Sequence, residues 1–288
     1  MLRSMTGFAR TERTTPSGLL AWEIRSVNHR FLEVGLRLPE ELRASEAEFR
    51  RAIGAVARRG KVDASLYVRP GAAAGRSLTL DEGLLDTLVE QANALRRRLG
   101  PEGRIGAVEL LRWPGVVKDP EREAGPLAAD AQSLLVETLE AFAASRAAEG
   151  ERIAQMLGSR SAQVRAIADE VAARLPEVQA RIQARLKERL GALGAEVNPE
   201  RFEQEVALLV QKMDVAEELD RLRSHVEELA TTLASGDAVG RKLDFLMQEF
   251  NREANTLSSK SQDVETTRRA VELKVLIEQM REQVQNVE

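Results

Sequence analysis

Residues 240–261 read Gly-Arg-Lys-Leu-Asp-Phe-Leu-Met-Gln-Glu-Phe-Asn-Arg-Glu-Ala-Asn-Thr-Leu-Ser-Ser-Lys-Ser. Wound as a helix at about 100° per residue, they gather Leu243, Leu246, Met247, Phe250, Ala254 and Leu257 on one face, which is core. Asp244, Gln248, Asn251 and Asn255 line one polar flank, with Arg241 and Arg252 beside them. Lys242, Glu249, Glu253 and Thr256 line the other. Asn is a poor helix former because its side chain competes for backbone hydrogen bonds, so an amide-rich flank points to something it binds. Amides read base edges or sugar hydroxyls, Arg and Lys hold phosphate, and carboxylates take a hard divalent cation. Arg241, Gln248, Asn251, Asn255 and Lys260 are therefore candidate contacts to bases, sugars or phosphates. Asp244, Glu249 and Glu253 are candidate ligands for Mg²⁺ or Mn²⁺, and Glu249, Glu253 and Arg252 are candidate catalytic groups. The competing reading of the Glu249/Glu253 pair is a salt-bridged face, because Lys242, Arg252 and Lys260 are close enough in sequence to neutralise it.

A second constellation is Glu23-Ile-Arg-Ser-Val-Asn-His-Arg30, at the end of one strand and the start of the next. Its Asn28-His29 corner presents an amide, an imidazole and Arg30 together. Proton abstraction from an attacking hydroxyl benefits from a base titrating near neutrality, which makes His29 a candidate catalytic base. Arg25 and Arg30 are suited to hold the scissile phosphate, and Asn28 to contact RNA beside them. The bland alternative is turn chemistry. The other histidine, His225, lies one residue before an apolar seam position, Val226, which favours packing or an intersubunit role over catalysis.

The elements that must position these groups fall into an α+β pattern: a small strand–helix–strand unit followed by a largely helical body. Residues 14–18 are a turn cluster. Leu20, Trp22 and Ile24 alternate with Ala21, Glu23 and Arg25, and Leu32, Val34, Leu36 and Leu38 repeat that period. A helix is expected over 40–58, closed by Gly60, and another strand over 61–68; with the N-terminal stretch the order is strand, strand, strand, helix, strand. Residues 70–76 read as a Gly/Ala linker. A helix over 80–99, a Trp113-Pro-Gly loop running to about Pro126, and a helical run over 128–193 follow. Gly150 and Pro176 are the places for a bend in that run, and residues 191–199 break it. Leu219, Leu222, Val226, Leu229 and Leu233 form one heptad seam, and Ala270, Leu273, Ile277, Met280, Val284 and Val287 another, suggesting an antiparallel pair of coiled-coil-like helices, either within the chain or between subunits. The implied division is a basic α+β unit (1–76), a helical middle region (77–199, or a single N-terminal domain over 1–150) and a C-terminal helical domain (200–288).

At 288 residues, 43% hydrophobic and 31% charged, the composition is globular, and with only 3% aromatics the core must be aliphatic. The absence of Cys excludes disulfides, thiolate metal sites and cysteine nucleophiles. No apolar run approaches the roughly 20 residues needed to span a bilayer, and the start lacks a signal-peptide core, so a soluble cytoplasmic protein with no membrane partner is expected. The net charge of −4 hides an asymmetry. Residues 1–76 hold 14 Lys/Arg against 8 Asp/Glu, while the remainder holds 28 against 38. A basic first quarter on an acidic body can attract phosphate at one surface.

Residues 240–261 are similar, almost position by position, to the C-terminal signature of the YicC/YloC family, as are residues 271–288. Residues 4–10 (Ser-Met-Thr-Gly-Phe-Ala-Arg), 23–33, 59–62 (Arg-Gly-Lys-Val), 113–116 (Trp-Pro-Gly-Val) and 218–225 resemble its other signatures, so the likeness runs from end to end. The resemblance implies an endoribonuclease acting on single-stranded or structured RNA in RNA turnover. It also implies dependence on a divalent metal, a ring-like homo-oligomer expected to be a hexamer, and partnership with other RNA-decay enzymes. Neither composition nor periodicity carries those properties. The alternative from another class is a non-catalytic RNA-binding adaptor that forms a ring and recruits a nuclease, favoured by the absence of a familiar nuclease motif.

Overall fold

A computed structural model describes residues 2–69, 79–100, 106–118, 124–192, 199–235 and 239–288. The expected linker at 70–76 and most of the expected break at 191–199 lie outside them. The architecture is α+β: a four-stranded sheet near the N-terminus, then long helices.

Strands β1 (Gly7–Thr15) and β2 (Gly18–Val27) form an antiparallel hairpin at the expected turn. β3 (Leu32–Arg37) and β4 (Gly60–Arg69) complete the sheet in the order β1-β2-β4-β3. The β3–β4 pair is parallel, and it needs the crossover that a 3-10 turn (Glu40–Ser45) and helix α1 (Glu46–Val56) supply. The single helix expected over 40–58 is thus two pieces. Gly60 opens β4 at φ 100°, a conformation costly for any residue with a Cβ.

The alternation seen in sequence is the burial pattern observed. Leu20, Trp22, Ile24, Val62, Ala64 and Leu66 are buried, and Leu42, Phe49 and Ile53 cover them. Trp22 meets Phe49 edge to face at 5.4 Å, and its indole donates to the Ala131 carbonyl at 2.9 Å, so the one buried polar atom of that ring is satisfied.

Ala131 belongs to α4 (Ala124–Ala192), a single 69-residue helix of roughly 100 Å with Pro126 in its first turn, where the missing proline N–H breaks no intrahelical bond. Pro176 is accommodated within it. Gly150 is not a break: a Cβ there would lie 2.1 Å from the Leu2 carbonyl oxygen, so the glycine lets the N-terminal segment cross the helix. The first part of α4 (Leu127, Leu134, Leu135, Phe142) closes the sheet's core. Its later part (Ile153, Leu157, Val164, Val171) joins a second core with α6 (Ala216–Ala234), α7 (Gly240–Lys260) and α8 (Val264–Val284). α4, α6, α7 and α8 pack in a ring of neighbours, so the two heptad seams face α4 and α7 instead of pairing mainly with each other. The remaining elements are α2 (Glu82–Leu99), α3 (Ala107–Leu111), α5 (Pro199–Lys212) and a two-stranded ribbon of β5 (Thr79–Leu80) and β6 (Val117–Lys118).

Besides α4 itself, a buried ion pair ties the two cores. Arg146 of α4 is buried; its guanidinium donates to the carbonyls of Ser4 (2.6 Å) and Val56 (3.3 Å) and pairs with the Glu288 carboxylate. Glu288 also accepts from the backbone N–H of Arg58 (2.7 Å) and Arg59 (3.0 Å), while Met5 N–H donates to the Asn286 carbonyl at 2.7 Å. Residues 286–288 are thereby held against the β-unit.

Candidate functional site

Helix α7 buries Leu243, Leu246, Met247, Phe250, Ala254 and Leu257, the face expected from spacing. It also buries Glu253, which is only 2% exposed. A carboxylate taken from water needs a compensating charge, and Arg221 of α6 provides one, its Nη1 3.4 Å from Glu253 Oε1. Glu217 chiefly raises the Arg221 pKa above its ordinary value; loss of solvent opposes it, and Glu253 adds a further, smaller rise.

Beside this pair stands His225, also from α6. Its ring meets Phe250 edge to face at 5.6 Å, and its buried Nε2 has no hydrogen-bond partner among the described residues. One ligand atom each from His225, Glu249 and Glu253 lie within 4.8 Å of one another. An imidazole with an orphaned nitrogen, clustered with two carboxylates of which one is buried, fits a divalent cation. The mixed N/O donor set suits Mn²⁺ better than Mg²⁺, which prefers all-oxygen surroundings.

Asp244, expected as the third ligand, does not join this cluster. It is exposed and accepts from Gln248 Nε2 at 3.2 Å. Five residues separate Asp244 from Glu249, about 140° around a helix, so the two cannot share a ligand sphere from one helix. The histidine that spacing assigned to packing takes the place instead. At the edge of the α6 seam it both packs on Phe250 and turns a nitrogen to the carboxylates.

Each carboxylate of the Glu pair has an ion-pair partner, as the salt-bridged alternative expects, but Glu253 takes Arg221 of α6 in place of a cation from its own helix. Lys242 pairs with Glu228 and Lys260 with the buried Glu218; of the three expected cations Arg252 alone approaches the pair, 3.7 Å from Glu249. Lys260 is thus engaged by Glu218 and by the Asp214 carbonyl, and is not a free phosphate contact as expected. The amides lie on one flank as spacing indicated, with Asn255 donating to Asn251 at 2.6 Å and Gln248 to Asp244.

The second constellation is divided. Asn28 and Arg30 line a cleft of about 310 Å³ with Arg59, Arg241 and Asp244, and Val284, Gln285 and Val287 complete its lining. His29 and Arg25 are exposed but do not line it; the His29 ring contacts the Phe31 carbonyl within its own turn, Nδ1 to O at 3.0 Å. Arg59 is the cleft residue that sequence reasoning missed, although it opens the 59–62 signature.

A small α+β unit packed on a helical bundle, with a carboxylate–imidazole cluster at one bundle face and a basic cleft at its end, describes a class of two-part helical proteins suited to a charged polymer. The chain belongs to the endoribonuclease YicC-like family: the family's C-terminal model matches residues 171–288 and its N-terminal model residues 2–155. It is similar to a protein named probable endoribonuclease YicC from Haemophilus influenzae, 42% identical over 288 residues and the whole of both chains. It is also similar to one of the same name from Clostridioides difficile, 30% identical over 295 residues and again the whole of both. No helix among the described residues is long and apolar enough to cross a membrane.

Proposed function

We propose that this chain is an endoribonuclease that cleaves RNA phosphodiester bonds in RNA turnover, with a divalent cation, Mn²⁺ or Mg²⁺, held by His225, Glu249 and Glu253. Family membership and the names of the relatives support the reaction class. The observation that carries the site is a ring nitrogen of His225 within 4.8 Å of carboxylate oxygens of Glu249 and the buried Glu253, on an imidazole whose buried Nε2 has no hydrogen-bond partner among the described residues. A bound cation would polarise a phosphoryl oxygen or lower the pKa of a bound water. Arg252, exposed beside Glu249, would neutralise a non-bridging phosphate oxygen. The protein works as a homo-oligomer, expected to be a hexamer, a state that light scattering of the purified protein measures directly.

The test is digestion of a defined RNA by purified protein with Mn²⁺, with Mg²⁺ and in EDTA, followed by end analysis. Cation-dependent cleavage leaving 5′-phosphates, lost in Glu249→Gln/Glu253→Gln, is expected. Fragments ending in cyclic phosphate in EDTA would sink the metal reading and favour transesterification with His29 as base. An inert wild-type protein that still binds RNA would favour the adaptor.

A further inference from the structure

Along the solvent side of α7, Arg241, Phe245 and Glu249 follow one another a helical turn apart, with Arg252 beside them. Phe245 is 60% exposed on a helix that otherwise sorts its apolar residues cleanly into the core. At its Arg241 end the stripe opens into the 310 Å³ cleft, which Arg30, Arg59 and Arg241 line together with Asn28. Among the described residues, none of the three arginines has an ion-pair partner. Arg59 spends its Nε on the Arg30 carbonyl at 3.3 Å, and Arg30 lies over the ring of the exposed Phe31 at 5.2 Å. The one carboxylate among the described residues that line the cleft, Asp244, is engaged by Gln248.

From Arg241 to Glu249 the helix rises about 12 Å, with Phe245 about 6 Å from each. An aromatic ring exposed midway between unpaired guanidiniums and a carboxylate–imidazole cluster is the pattern of a single-strand track: cations hold the backbone, and a ring offers its face to a base. Paired bases have no free face to offer it. We propose that a single-stranded RNA segment runs along α7, with a phosphate a short distance from the cleaved bond held in the Arg30/Arg59/Arg241 cleft and a base stacked on Phe245. Cleavage at the far end of the track rests on the metal reading above; binding does not.

The test separates the two. Fluorescence anisotropy of a labelled single-stranded oligoribonucleotide is measured in EDTA over a salt series, alongside cleavage in Mn²⁺. Phe245→Ala should weaken binding about five- to a hundredfold without changing the salt slope, and Phe245→Tyr should restore it. Replacing Arg30, Arg59 and Arg241 together by Gln should weaken binding and lower the slope of log affinity against log salt by about 0.7 for each phosphate no longer neutralised. Glu253→Gln should bind like wild type in EDTA. Affinity and slope unchanged in both the Phe245→Ala and triple-Arg variants would overturn the track, as would a Phe245→Ala effect equally large on a duplex of the same sequence. So would a change in oligomeric state without a change in RNA binding. Track variants that lose binding while Glu253→Gln still cleaves would leave the track standing and remove the metal reading.

Discussion

Glu253 Oε1 lies 3.4 Å from Nη1 of Arg221, and this contact between α7 and α6 sets a charged carboxylate into the bundle next to the His225 imidazole. Removing the guanidinium leaves that carboxylate buried without its nearest cation. Arg221→Gln should lower the melting temperature in EDTA, because the buried carboxylate then lacks its nearest cation. Added Mn²⁺ should recover part of the loss, because a cation bound to the folded form substitutes for the missing charge. Thermal melts with and without Mn²⁺ check this; a loss that Mn²⁺ does not touch would count against the site.

Phe250 and the polar flanks of α7 should respond in opposite ways. Phe250→Ala empties a fully buried position that also supports His225, at a cost of roughly 3–5 kcal/mol in urea unfolding. Arg252→Ala and Asn255→Ala alter exposed residues. They should lower RNA cleavage while changing stability by no more than about 0.5 kcal/mol. A large drop in melting temperature for either would contradict their placement.

Arg146 has its guanidinium on two carbonyls and the Glu288 carboxylate, and it is 1% exposed. Arg146→Ala strands those acceptors and should cost about 3–5 kcal/mol by calorimetry. Because Glu288 also holds the Arg58 and Arg59 backbone, the same variant should loosen the lining of the basic cleft and weaken RNA binding.

Asp263 caps α8, accepting from Thr266 N–H at 3.1 Å and Thr266 Oγ1 at 3.2 Å, with Arg181 at 3.3 Å and Arg174 at 3.6 Å. Burial alone would raise its pKa, but the Thr266 bonds and the two arginines outweigh burial and hold it below the ordinary carboxylate range. A depressed carboxylate stabilises the fold above its unfolded pKa, and that stability is lost as pH falls through the folded value. Melting temperature should therefore fall below about pH 4 more steeply for wild type than for Asp263→Asn, which keeps an acceptor for the cap. Parallel acid limbs for the two proteins would contradict the assignment.

Local periodicity in the sequence was enough to determine the strands at Leu20–Ile24 and Val62–Leu66, the apolar face of α7 and the two seams, because side-chain direction repeats every 2 residues in a strand and every 3.6 in a helix. It also placed Gln248, Asn251 and Asn255 on one flank, and Glu249 and Glu253 one turn apart. Only the tertiary structure decided which groups meet. His225 reaches Glu253 because α6 packs on α7, and Asp244 falls away because a helix carries it about 140° from Glu249. Lys260 is taken by Glu218 across the same helix pair. Asn28, Arg30 and Arg59 share a cleft with Arg241 because residues 286–288 bond to the N-terminal segment and to the Arg58–Arg59 backbone. Helical spacing specifies what one element presents; which element faces it is settled by long-range packing, and spacing carries no record of that.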